Sequence, residues 1–85
     1  MLENKFDNPI ITESLKKLLE AYQRGEREFA QINLENADLS QLNLEGINLS
    51  NANLRKAKLV GTKLSNANLS EANLERADLQ CADLS

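Results

Sequence analysis

From residue 29 onward an apolar side chain returns at every fifth position without a break: Phe29, then leucine at 34, 39, 44, 49, 54, 59, 64, 69, 74, 79 and 84. Two residues ahead of each leucine stands a second, usually smaller residue. Ile32, Ala37, Leu42, Ile47, Ala52, Ala57 and Thr62 are followed by alanine at 67, 72, 77 and 82. Asn or Asp mostly separates the two, and the other two positions of the unit are mostly polar or glycine. The consensus is A-(N/D)-L-x-x. Repetition at a fixed period is the mark of a repeat architecture, so it governs every later reading.

A period of five suits neither regular element. At about 3.6 residues per turn a helix would spread the leucines around its circumference. A flat strand, with period two, would send successive leucines to opposite faces. The chain must therefore bend once in every five-residue unit, so that each leucine is re-aimed at one axis. Asn and Asp suit such bends, because their side chains bond nearby backbone. The expected fold is an all-β solenoid whose coils bury their leucines against the coils above and below.

Charges set the number of units per coil. Neighbouring coils are about 4.8 Å apart, so residues one turn apart face each other. An offset of twenty aligns Glu35, Arg55 and Glu75; Asp38, Lys58 and Asp78; and Lys63 with Asp83. That makes five opposite-charge contacts against one like pair, Lys56 with Arg76, whereas offsets of fifteen or twenty-five give two opposite pairs each. Four units per coil, a square coil, is the expectation. Residues 29–85 then make about three coils, a stack only about 14 Å tall. Asn33, Asn53 and Asn73, and Asn48 with Asn68, fall in register as amide ladders.

Ahead of the repeats, Leu15, Leu18, Leu19 and Tyr22 follow the i, i+3, i+4, i+7 stripe of an amphipathic helix. Thr12 or its polar neighbours are placed to cap it, Glu13 suits the positive end of its dipole, and Gly25 is placed to end it. Solenoids need their ends covered, and this helix suits the open top of the first coil. The bulkier second-site residues Ile32, Leu42 and Ile47 all fall in that coil. The expected division is a loosely held lead-in at 1–11, a capping helix and connection at 12–28, and a β-helix at 29–85. No such cover follows the last repeat, so Leu74, Leu79 and Leu84 are expected at an open end. Pairing with another copy, docking on a partner, or continuation of a longer chain would each cover it.

Composition narrows function further. Net charge is −3 and the pI near 4.9, which argues against general nucleic-acid binding, since that needs a concentrated cationic footprint. Histidine is absent, removing the commonest general base and metal ligand, and the single cysteine, Cys81, excludes an intrachain disulfide. Cys81 is expected outward as a plain thiol, and Thr62 is expected to satisfy a backbone group. The N-terminal residues show no secretory pattern, and no apolar run is long enough to span a bilayer, so the expected location is the cytoplasm. No catalytic residue, cofactor or metal site is expected, because the carboxylates point outward from a convex body.

The segments ADL at 37–39, NLSNANL at 48–54, NLSEANLERADL at 68–79 and CADLS at 81–85 resemble the pentapeptide-repeat family. LLEAYQRGEREFAQINL resembles the helix that precedes the repeats in many cyanobacterial members. The resemblance implies a right-handed quadrilateral β-helix, with the central leucine and the small residue two before it facing in. It implies a non-catalytic protein-interaction or assembly module, with a protein partner and a homodimer through the uncapped C-terminal coil as the expected associations. The alternative comes from long acidic members that mimic duplex DNA and bind DNA gyrase: a DNA-mimicking modulator of a DNA-binding enzyme. Here the stack is short, and a candidate basic patch of Arg55, Lys56, Lys58 and Lys63 interrupts any negative stripe. Three of those four sit in columns with acids and are expected to neutralise them, while Lys56 stacks beside Arg76.

Overall fold

The structure, a computed structural model, describes residues 9–85, with side chains from residue 13 onward. Its one helix among these residues, α1, spans Pro9–Gln23. The start lies ahead of the expected boundary at residue 12, so residues 9–11 are helical rather than lead-in. Proline fits the first helical turn, because its missing N–H has no intrahelical partner there and its φ is already helical. Glu13 consequently falls beyond the first turn, which holds no acidic residue. The remainder of the lead-in lies outside the described residues.

The end of α1 follows the sequence closely. Gly25 adopts φ +97°, its N–H donates to the Tyr22 carbonyl at 2.9 Å, and the Glu26 N–H reaches the Ala21 carbonyl at 3.0 Å. These two bonds form a Schellman motif, which closes the last carbonyls of a helix around a left-handed residue.

After α1 the chain forms no continuous strand among the described residues. Eight isolated parallel bridges instead join residues twenty apart, from Glu28 with Asn48 to Lys63 with Asp83. Four five-residue units therefore separate each bridge residue from its partner. Each unit contributes one bridge residue, one inward leucine and one turn. In the unit around Leu54, the Ala57 N–H donates back to the Leu54 carbonyl at 3.0 Å, and Lys56 between them has φ +61°. A positive φ at the third position alone makes this a type II turn. Gln31, Asn36, Gln41, Asn51, Asn66, Glu71, Arg76 and Cys81 repeat that conformation, with φ between 60° and 67°. The bridge residue secures the same turn: the Asn53 Oδ1 accepts the Arg55 N–H at 3.1 Å, and Asn or Asp at 33, 38, 43, 48, 68, 73, 78 and 83 does likewise.

These side-chain oxygens explain why the expected amide ladders do not form. Each asparagine commits its oxygen to its own turn, and the Nδ2 of Asn48 and Asn53 donates to the carboxylates of Glu28 and Glu35, at 2.7 and 3.3 Å.

The axis is filled as the repeat requires. Leu34, Leu39, Leu44, Leu49, Leu54, Leu59 and Leu64 are fully buried, with Ile47, Ala52 and Ala57 between them. Thr62 replaces alanine there without leaving a polar orphan, since its hydroxyl donates to the Leu39 carbonyl at 2.8 Å. Leu18 of α1 joins this core, and Leu15, Leu19, Tyr22 and Phe29 pack against it. Burial then declines along the axis: Leu69, Leu74 and Leu79 are half-buried, and Leu84 is 54% exposed.

Two stability measurements follow. Leu54→Ala should lower the unfolding free energy by about 2–5 kcal/mol in urea titration, while Leu84→Ala should cost well under half as much. Equal losses would mean that the burial gradient is wrong. Lys56→Asn should raise the midpoint, stabilising by up to about 1 kcal/mol, because asparagine tolerates the left-handed turn better than lysine does.

Candidate interaction surfaces

The outward side chains form columns parallel to the axis, one residue from each level. In one column Arg55 lies between two acids: its Nη1 is 3.0 Å from Glu35 and its Nε 2.8 Å from Glu75. Those bonds, Glu75 first, hold the guanidinium more firmly protonated than usual. The neighbouring column bridges Asp38, Lys58 and Asp78, and the next joins Asn43, Lys63 and Asp83. Asp38 titrates below the ordinary carboxylate range, chiefly because the Ser40 N–H and then its hydroxyl bond it, with Lys58 adding attraction. Asp83 is lowered likewise, by the Ser85 hydroxyl first, at 2.7 Å, then the Ser85 N–H, then Lys63.

These positions show what becomes of the basic residues singled out in the sequence. Arg55 and Lys56 lie in the turn that leads from the Asn53 column to the Lys58 column, and Lys63 stands one five-residue step further round the coil. Lys56 is exposed one level from Arg76 in the twenty-residue register. Cys81 is a free, exposed thiol on the last level, at the left-handed position of its turn.

The ends of the solenoid differ from its sides, and from each other. Within each unit two N–H groups point toward the following coil and one toward the preceding coil. Leu54 and Lys56, for example, donate to the carbonyls of Asn73 and Glu75, both at 2.8 Å, while Asn53 donates back to Ile32 at 2.9 Å. On the last level the corresponding N–H groups of Leu69, Leu74, Leu79 and Leu84, and of Glu71, Arg76 and Cys81, have no backbone partner among the described residues. Carbonyls facing the same way come only from Ala67, Ala72, Ala77 and Ala82. Two donors thus stand beside one acceptor in each unit of this edge. The first level carries the complement, two carbonyls and one N–H per unit.

Helix α1 lies against that acceptor-rich edge. The Tyr22 hydroxyl donates to the Glu45 carbonyl at 2.9 Å, taking the place that an N–H of a preceding coil would fill. Arg27 sits over the Tyr22 ring, 3.7 Å from its centre, and donates to the Tyr22 and Glu26 carbonyls at 2.9 and 2.8 Å. Sequence reasoning placed Tyr22 on the buried face of the helix. It did not foresee the hydroxyl's backbone partner, because no residue pattern marks an orphan carbonyl. The leucines expected at the open end, Leu74, Leu79 and Leu84, do lie on the donor-rich level, the first two half-buried and Leu84 exposed.

Such a solenoid of five-residue turns defines its class, and comparison with known proteins gives the same result. The family model for pentapeptide repeats matches residues 32–70 and 57–85, with eight copies. The chain belongs to the pentapeptide-repeat family. Among solved structures it is similar to alr5209, a pentapeptide repeat protein from Nostoc PCC 7120, at 35% identity and a TM-score of 0.50. The likeness covers 84% of this chain and 75% of that one. No curated protein matches. Proteins of this family are in general non-enzymatic structural or interaction modules.

Acid should reveal the turn-forming aspartates. Asp38 and Asp83 are depressed in the folded state, so their stabilisation is present above the unfolded pKa of about 3.9 and is lost as pH falls through the folded values. Thermal midpoints should be flat from pH 7 to about 5 and then fall below about pH 4. The Asp38→Asn, Asp83→Asn double variant keeps the turn-closing oxygens and should show a shallower acid limb.

Proposed function

We propose that this chain is a non-catalytic protein-interaction or assembly module: a right-handed, four-sided β-helix of about three coils, closed at its N-terminal edge by α1. The reading rests on one observation, the donor-rich last level with its exposed Leu84. Among the described residues, N–H groups without a backbone partner and an exposed apolar side chain coincide there, and exposed edges of this kind pair with other chains. Right-handedness follows the family and the strong preference of parallel crossovers for that hand. The cap is supported by Leu18 in the core and Tyr22 on Glu45. A cytoplasmic location suits an exposed free thiol. No helix among the described residues is long and apolar enough to cross a membrane.

The DNA-mimicking alternative calls for a continuous negative face. The two central columns instead alternate in sign, with Arg55 bonded to Glu35 and Glu75 and with Lys58 between Asp38 and Asp78. A mimic would compete with duplex DNA for its enzyme and lose that competition steeply with salt, whereas an apolar, hydrogen-bonded edge contact is largely salt-tolerant.

The test is site-specific photocrosslinking in cells, with the probe at Leu84 or at the side positions Ser50 and Val60. Protein adducts concentrated at Leu84 and unchanged by raised salt support the edge as the working surface. Adducts only from the sides would overturn it.

A further inference from the structure

Charge sign on the repeats follows their levels. Residues 28–47 carry Glu28, Glu35, Asp38 and Glu45 and no cation, while residues 48–67 carry Arg55, Lys56, Lys58 and Lys63 and no acid. Residues 68–85 return to acids at 71, 75, 78 and 83, with one cation, Arg76. Arg76 stands next to Lys56 in the twenty-residue register, where every other charged pair of the repeats is opposite in sign. We propose that Lys56 and Arg76 together form a binding site for one phosphoryl group, at the corner between the Asn53 and Lys58 columns.

The backbone brings the two residues to one corner on successive levels. The Lys56 N–H donates to the Glu75 carbonyl at 2.8 Å, and both Lys56 and Arg76 are exposed. Each also holds the left-handed position of its turn, at φ 61° and 60°. Asparagine, which stands there one level earlier as Asn36, suits that backbone better and brings no repulsion. Among the described residues the ion pairs engage Arg24 and Arg55, not these two cations. An anion held between them relieves the repulsion and gains charge-assisted bonds from both.

The surroundings decide which anion fits. On one side Glu35 and Glu75 flank Arg55, and on the other Asp38 and Asp78 flank Lys58. Two acids against one base leave each of those columns at −1, whereas the column of Asn36, Lys56 and Arg76 sums to +2. A polyanion such as nucleic acid would reach past the corner and meet acids on both sides. A compact group stays within it. Levels about 4.8 Å apart let an ammonium and a guanidinium reach the same group, and a phosphoryl group offers three oxygens and a charge of about −1.5 to −2. A carboxylate brings two oxygens and a single charge, and answers the pair less fully. A phosphorylated side chain of a protein and free inorganic phosphate both present the required chemistry. The corner lies on the side of the solenoid, apart from the edge around Leu84, so the two readings stand or fall separately.

The experiment titrates the full 85-residue chain, labelled with ¹⁵N, with inorganic phosphate and with a phosphoserine peptide at constant ionic strength. The amides of Lys56, Ala57, Arg76 and Ala77 should shift and saturate together. Lys56→Asn and Arg76→Asn should each weaken binding about ten-fold or more with no fall in thermal midpoint, since asparagine suits both the turn and the column. Arg76→Lys, which keeps the charge, should bind more tightly than Arg76→Asn, and Lys58→Gln should weaken binding far less than either asparagine variant. Tighter binding of the phosphopeptide than of inorganic phosphate supports the site with a protein as the source, and the reverse order supports it with the free ion. Equal affinity for the same peptide carrying glutamate instead of phosphoserine would overturn the phosphoryl assignment in favour of an acidic peptide. Shifts spread evenly over Lys56, Lys58 and Lys63, or shifts that never saturate, would overturn the site itself.

Discussion

One turn per five residues is what everything else depends on. The leucines reach a common axis only because a left-handed residue and an Asx-bonded bridge residue redirect the chain once in each unit. Left-handed backbone is costly for lysine, glutamate, arginine or cysteine, yet Lys56, Glu71, Arg76 and Cys81 all adopt it. The compensation is collective. Holding that conformation brings a leucine to the core and three backbone groups into the ladder, and no alternative conformation of a single unit recovers both. A solenoid of this kind is accordingly strongest where it has neighbours on both sides, and the fall in burial from Leu64 to Leu84 follows from that.

Much of this was legible in the residues, for physical reasons that can be named. The period of five exposed the core, since only buried positions must repeat so strictly. Opposite charges twenty apart exposed the level spacing, because side chains less than 5 Å from their neighbours respond to sign. Gly25 marked the end of α1. The start of the helix lies ahead of Thr12 and Glu13, the residues whose chemistry suits a cap and the helix dipole, because Pro9 is itself a good first-turn residue. The amide ladders failed for another reason: one side-chain oxygen cannot serve both its own turn and the next level, and the local bond wins because it costs less order to form.

The directional edge belongs to the part that no sequence pattern could show. Donors and acceptors of the main chain are the same in every residue, so their bias along the axis appears only when φ values and bond partners are known. That bias distinguishes the two ends of the molecule more sharply than its charges do. A buried N–H lacking a partner costs about 1–3 kcal/mol. Several of them on one level are enough to decide which surfaces can meet there and which cannot.

The spacing of the bridges has a consequence for how such a chain can change in length. The core counts in fives, while the outer columns count in twenties. Loss or gain of one unit leaves every leucine on the axis but turns all later residues through a quarter of the perimeter. Arg55 would then face a different pair of neighbours, although a leucine still stood at every axial position. Insertions of five are thus silent to stability and loud to recognition, and a family built this way can redraw its surface by slippage alone.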